Sequence, residues 1–134
     1  MRVMGISGMP GSGKSLVSDI AIEKGAKIVS MGDIIREEAR KINESTKVTA
    51  RKLREEQGDY IVAELTIAKV KKLLQNNDCP LIIIEGIRSL YEVNLFKDNF
   101  EDFFILSIFA NPTLRFDRLK QRKRSDDQII MKNF

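Results

Sequence analysis

The chain has 134 residues, enough for one domain with a real core but few for a complete nucleotide-binding enzyme. Apolar residues make up 43% and charged residues 31%, which excludes a disordered chain, and no apolar run reaches membrane-spanning length. The net charge of +4 suits a polyanionic ligand, and one cysteine with no histidine excludes both an internal disulfide and a Cys/His zinc site.

The chain opens on an apolar strand, about 2 to 7, followed by Gly8-Met9-Pro10-Gly11-Ser12-Gly13-Lys14-Ser15. This fits G-x-x-x-x-G-K-[ST], and it stands between a strand and a helix as that pattern requires. Glycines let the backbone approach a ligand closely, so N–H groups converge on phosphate oxygens, and the following helix adds its positive end. Lys14 is placed to reach the β and γ phosphates, and the Ser15 hydroxyl to ligate a bridging Mg²⁺. A nucleoside triphosphate site is therefore expected here. The helix runs from about 14 to 24, with Leu16, Val17, Ile20 and Ala21 at helical spacing and Gly25 just past its end. An N-terminal strand of this kind is not a secretion signal, and a cytoplasmic address is expected.

A short strand over 26–29 leads to Ser30, an N-cap with Asp33 as its reciprocal partner, opening a helix that carries Ile34, Ile35 and Arg36. Asp33 serves equally well as that cap or as a group that orients an acceptor. Arg36 stands in the first turns of a helix, a poor place for a cation unless an anion is near. A charged helix follows from about 49 to 57, ended by Gly58. Asp59 then caps a helix whose expected buried stripe is Ile61, Leu65 and Ala68.

Leu81-Ile82-Ile83-Ile84 reads as a strand buried on both faces, ending in Glu85-Gly86-Ile87-Arg88. Glu85 is placed to hold the metal through water or orient a nucleophile, or else only to pair with Lys14 or Arg88. Arg88 offers a planar fork to phosphate oxygens. Ser89 and Glu92 form a capping box for a helix reaching about Lys97, a fourth strand covers 103–109, and Asn111-Pro112 starts the last helix. That helix carries Arg115, Arg118, Lys120, Arg122, Lys123 and Arg124 against the single acid Asp117. The basic block reads as a solvated face, a nucleic-acid patch, or the start of a lid that closes arginines over phosphates. Only Phe116 is interleaved, where nucleic-acid binders add aromatic platforms, which favours the lid.

Strands alternating with helices give a three-layer α/β/α fold with a parallel sheet, whose ligand crevice lies beyond the strand C-termini. The single domain divides into a core (1–30 and 80–115), a helical acceptor-binding insertion (about 31–78) and the start of a lid (about 115–128).

With these residues in place the chain resembles nucleoside monophosphate kinases of the adenylate kinase type, through Gly8 to Ser15, Ser30 to Arg36, Glu85 to Arg88 and the arginine-rich stretch from Arg115 to Arg124. More closely, it is similar to archaeal dephospho-CoA-kinase-like proteins. The resemblance implies ATP and Mg²⁺ as cofactors, Arg36 and Arg88 on the acceptor's phosphate, and Arg118, Arg122 and Arg124 as lid or lid-hinge arginines on the triphosphate. Glu85 and Ile87 stand where adenylate kinases usually show aspartate and proline, which sets this chain apart from an AMP acceptor. Such kinases continue with the rest of the lid and a fifth strand, so the chain reads as shortened at its C-terminus, and uncovered sheet surface makes association of copies an expected consequence. The competing reading is a P-loop ATPase or nucleotide-sensing module that binds RNA or a protein. A GTPase is disfavoured because Asn-Lys-x-Asp is absent.

Overall fold

The computed structural model describes residues 2–9, 11–76 and 80–122. Among them the chain runs β1 (Arg2–Ser7), α1 (Lys14–Glu23), β2 (Lys27–Ser30), α2 (Met31–Ile42), α3 (Thr46–Gln57), α4 (Ile61–Asn76), β3 (Leu81–Glu85), α5 (Leu90–Asn99), β4 (Phe104–Ser107) and α6 (Pro112–Arg122). All the strand pairings are parallel and the order is β2-β3-β1-β4, so the expected α/β architecture is present.

Strand alternation sends successive side chains to opposite faces, and each face has its own cover. Met4, Ile6 and Ile83 meet Val17 and Ala21 of α1 on one face. Val3, Val29, Ile82 and Ile84 meet residues of α2, α3, α4 and α5 on the other, including Ile34, Leu53, Ile67 and Phe96. The sheet is thus held between two helical layers. Register brings the strand ends level, with Ser30 beside Glu85 and Ser7 beside Ser107. β1 and β3 are the inner strands, and the connections leave them in opposite directions, which opens the crevice at their C-terminal ends.

Several local signals act as expected. Ser89 and Glu92 make both arms of a capping box, and Asn111 Oδ1 accepts from Leu114 N at 2.8 Å ahead of Pro112. Gly25 follows α1 in a left-handed conformation, φ +94°. Other details differ. The expected stripe on α1 is only half buried: Val17 and Ala21 pack inward, whereas Leu16 is 66% exposed and Ile20 is exposed as well. In α4 the buried residues are Ile61, Val62, Ala63, Thr66, Ile67 and Val70, while Ala68 is exposed. α4 touches β2, α2, α3 and α5, so a broad face is covered rather than a narrow stripe. Thr66 tolerates this because its Oγ1 donates to Val62 O at 2.7 Å. The helix also starts after Tyr60, not at Asp59, since Glu64 N closes on Tyr60 O. α3 begins earlier than expected, capped by Ser45 through Val48 N. β4 is shorter than 103–109 and, among the described residues, is an edge strand paired with β1.

Candidate phosphate-binding site

The glycine loop between β1 and α1 has Gly11 at φ +79° and Gly13 at φ +108°, conformations that only glycine adopts without strain. Gly13 is the residue before α1 and makes no side-chain cap, so the helix N-terminus stays open toward the loop. Lys14 Nζ donates to Gly8 O at 2.6 Å, which folds the ammonium back across the loop it belongs to. Ser12 is buried and, among the described residues, its Oγ has no hydrogen-bond partner, although a methyl group on Gly8 would lie only 2.6 Å from it. A buried hydroxyl in this condition is waiting for a polar group. Ser15 and Met9 are exposed.

Glu85 ends β3, and its Oε2 accepts from Ser18 Oγ at 3.3 Å. Ser18 is one turn along α1 from Lys14 and Ser15, so this bond ties the carboxylate to the first turns of the helix that begins the site. Ser18 was missed from sequence. Its only signal is a serine at i+4 from Lys14, next to Val17 and one turn before Ala21 and Ile22, and a buried hydroxyl there needs a polar neighbour.

On the other side of Glu85, Gly86 has φ +86° and its α-carbon faces the start of α2: a methyl group there would lie 3.4 Å from Gly32 N and from Met31 Cβ. The chain after β3 therefore leans on the N-terminus of α2. Ser30 Oγ accepts from Asp33 N at 3.3 Å, the expected cap. The Asp33 carboxylate does not complete a reciprocal box; its Oδ1 accepts from Arg36 Nε at 3.2 Å and pairs with Nη2 at 3.1 Å. Both side chains are at least half exposed, so the pair contributes little stability and opens readily. The Arg36 guanidinium lies over Gly32, where any side chain would displace it. Arg88 is exposed in the turn before α5, its backbone N donating to Glu92 Oε1 at 3.0 Å.

A pair the sequence did not signal stands beside this turn. Tyr60 and Tyr91 meet edge to face at 6.2 Å, both exposed, at the starts of α4 and α5.

In α6, Arg118 Nη1 donates to Gly11 O at 2.9 Å, so one arginine of the basic stretch does rest on the glycine loop. Arg115 is 5% exposed, contrary to its reading as part of a solvated or lid-forming block. Arg122 closes α6. Pro10 and Arg124 lie outside the described residues. The structure thus brings Lys14, Ser12, Arg118 and Gly11 together, links Glu85 to α1, and sets Arg36 on Asp33 at the neighbouring strand end.

Residues 7–131 match the family model described as an AAA domain. The UPF0200 protein of Methanothermobacter thermautotrophicus is 46% identical over 127 residues, 95% of this chain and 65% of that protein. That of Pyrococcus furiosus is 44% identical over 136 residues, covering 96% and 72%. The chain belongs to the UPF0200 family. Its AAA domain makes it a P-loop nucleotide-binding protein, and it spans about two thirds of the length of these relatives. The crystal structure of TT1252 from Thermus thermophilus is similar in fold, with a TM-score of 0.56 and 19% identity over 96% of this chain and 74% of that one.

Proposed function

We propose that this UPF0200 domain is a Mg²⁺-dependent kinase core that transfers the γ-phosphoryl group of ATP to a small phosphorylated acceptor. The observation that carries the reading is the presence of two cationic sites at one end of the sheet. Lys14 and Arg118 lie on the glycine loop. Arg36 lies in the second turn of α2 with its guanidinium over Gly32, just past β2, and Arg88 lies just beyond β3. Hydrolysis or nucleotide sensing needs the first site and has no use for the second. The adenylate-kinase-like division into core, helical acceptor lobe and lid is part of the same proposal.

The residues present fit a nucleotide with its metal. Ser12 offers a buried hydroxyl without a partner, and left-handed Gly11 and Gly13 shape a loop whose amides can converge on an anion. Ser15 and Glu85 would supply the protein ligands, as suits an ion that keeps water and phosphate oxygens. Bound Mg²⁺-ATP supplies the phosphoryl group and neutralises part of its charge. Lys14 would exchange Gly8 O for phosphate oxygens, Arg118 would hold the triphosphate, and Ser18 would fix the Glu85 carboxylate against α1. Arg36 leaves Asp33 for the acceptor's phosphate, which frees Asp33 to orient the attacking oxygen, and Arg88 and Arg122 stabilise the transferring group. Arg124 extends that set. Proximity and charge stabilisation are then sufficient, with no strong general base.

Arg36→Ala is expected to raise the acceptor KM about tenfold or more while the ATP KM stays within about twofold, because loss of one charge-assisted fork acts on one substrate only. The deciding measurement is Mg²⁺-ATP turnover with nucleoside monophosphates and dephospho-CoA, on this chain and on the longer Pyrococcus furiosus relative. One acceptor that turns slow ATP loss into rapid transfer establishes the kinase and names its substrate. Equal hydrolysis with every acceptor would favour the ATPase or sensing alternative.

Tyr60 and Tyr91 provide a second readout. The chain has two tyrosines and no tryptophan, so its tyrosine emission reports on this pair alone. Acceptor binding is expected to change that emission after inner-filter correction, and Mg²⁺-ATP to leave it nearly unchanged. A response to ATP and none to any acceptor would place the acceptor elsewhere.

A further inference from the structure

Each glycine of the phosphate loop has a neighbour in one stretch of chain, residues 108–118, which runs from the end of β4 into the first turns of α6. A methyl group on Gly8 would lie 2.7 Å from Ile108 O, and one on Gly11 would lie 2.5 Å from Arg115 O and 2.8 Å from its Cα. Gly13 faces Arg118 Nη1 at 3.4 Å and the Ile108 side chain at 3.9 Å. The contact at Gly11 is backbone against backbone, so no change of rotamer can relieve it. Hydrogen bonds lock the same surfaces, Ile108 N to Ser7 O at 2.8 Å and Arg118 Nη1 to Gly11 O at 2.9 Å. The loop is held at its start and at its middle.

Arg115 anchors this junction. Its backbone N donates to Asn111 O at 3.1 Å and its Nε to Ala110 O at 3.2 Å, which ties the connection after β4 onto the first turn of α6. A guanidinium on a helix is ordinarily solvated, and burying one is unfavourable unless its bonds hold it. Here the residue is 5% exposed, with its backbone against Gly11 of the glycine loop.

We infer that the β4–α6 junction is a clamp that sets the shape of the phosphate loop, and that Arg115 is its positioning residue. This rests on the reading of the loop as a triphosphate site. The clamp couples the loop to α6. A triphosphate that draws Arg118 away from Gly11 O changes how α6 sits against the loop. The loop's glycines are then needed for the clamp as much as for the ligand.

Mg²⁺-ATP affinity by calorimetry, with the thermal midpoint recorded for each variant, tests this. Arg115→Ala is expected to weaken Mg²⁺-ATP about tenfold or more, since small displacements of positioned groups carry large penalties. The tyrosine emission change on acceptor binding should be retained. Arg115→Lys keeps a buried cation but not the planar Nε–H; it is expected to stay folded and still bind ATP more weakly. Gly11→Ala should weaken ATP in the same way, and the double variant should lose less than the sum of the two, because one pushes the Arg115 backbone away from the loop and the other loosens the side-chain tie that holds that backbone in place. A lower thermal midpoint with ATP affinity within twofold of wild type, in both Arg115 variants, would overturn the positioning role. Additive losses would overturn the clamp. Failure of the wild-type chain to bind Mg²⁺-ATP would instead overturn the function reading on which both stand.

Discussion

Replacing Lys14 with alanine is expected to lower kcat/KM for phosphoryl transfer about 10³-fold, roughly 4 kcal/mol of transition-state stabilisation, in line with removal of a key preorganised donor. The structure shows why the loss should be so specific. Lys14 Nζ is held at 2.6 Å from Gly8 O, so the loop's own carbonyl occupies the ammonium at the position where phosphate oxygens would replace it. The side chain is therefore already aimed before any ligand arrives. Its removal costs folding little: the residue is part-buried at the loop surface, and each hydrogen bond lost there is worth about 1 kcal/mol, a few degrees in thermal midpoint for a domain of this size. Transfer assays and thermal unfolding on the same preparation separate the two effects. A variant that keeps wild-type transfer would remove Lys14 from the mechanism, and one that simply unfolds would make it structural.

What the sequence reveals of this site is what local chemistry dictates. The glycine loop, the Ser89-Glu92 box, the Asn111-Pro112 start and the apolar run 81–84 are each decided within a few residues, and each stands where expected. The sequence is silent where a residue's environment comes from a distant segment. Ser18 and Leu16 exchange the burial that apolar spacing predicts, because α1 is oriented by the loop before it and by Glu85, 67 residues away, as well as by its apolar side chains. Arg115 looks like one more cation in a basic block until α6 is laid against Gly11. Tyr60 and Tyr91 meet only because α4 and α5 start at the same end of the core. In α4 apolar residues occupy most of the helix, so spacing cannot choose a face; its four neighbours do. The pairing of Asp33 with Arg36 also belongs to this class, since an Asp three residues after Ser30 satisfies the capping pattern whichever way its carboxylate turns.

Phe96→Ala should have the largest effect on stability. Phe96 is fully buried, 5.6 Å from Phe103 between ring centroids, in the cluster that also holds Ile82, Ile84 and Val3. Truncating such a ring costs about 3–5 kcal/mol, a large share of the roughly 5–15 kcal/mol that holds a domain together. The urea midpoint should fall with little change in slope, because the surface exposed on unfolding is nearly the same. The consequence for function is directional. Phe96 seats α5 on the sheet, and the first turn of α5 is capped by the segment that presents Arg88. Lys14 begins α1, whose apolar contacts lie on the opposite face with Met4, Ile6 and Ile83, while β1 packs on both faces and gives Val3 to the Phe96 cluster. In the fraction that remains folded, acceptor affinity should therefore weaken while Mg²⁺-ATP affinity stays close to wild type. Phe109→Ala, at a ring that is 91% exposed, should shift stability by less than about 0.5 kcal/mol and serves as the control. Equal losses of ATP and acceptor binding in folded Phe96→Ala would mean that the two faces of the sheet are not independent supports, and that the two cationic sites are assembled as one unit.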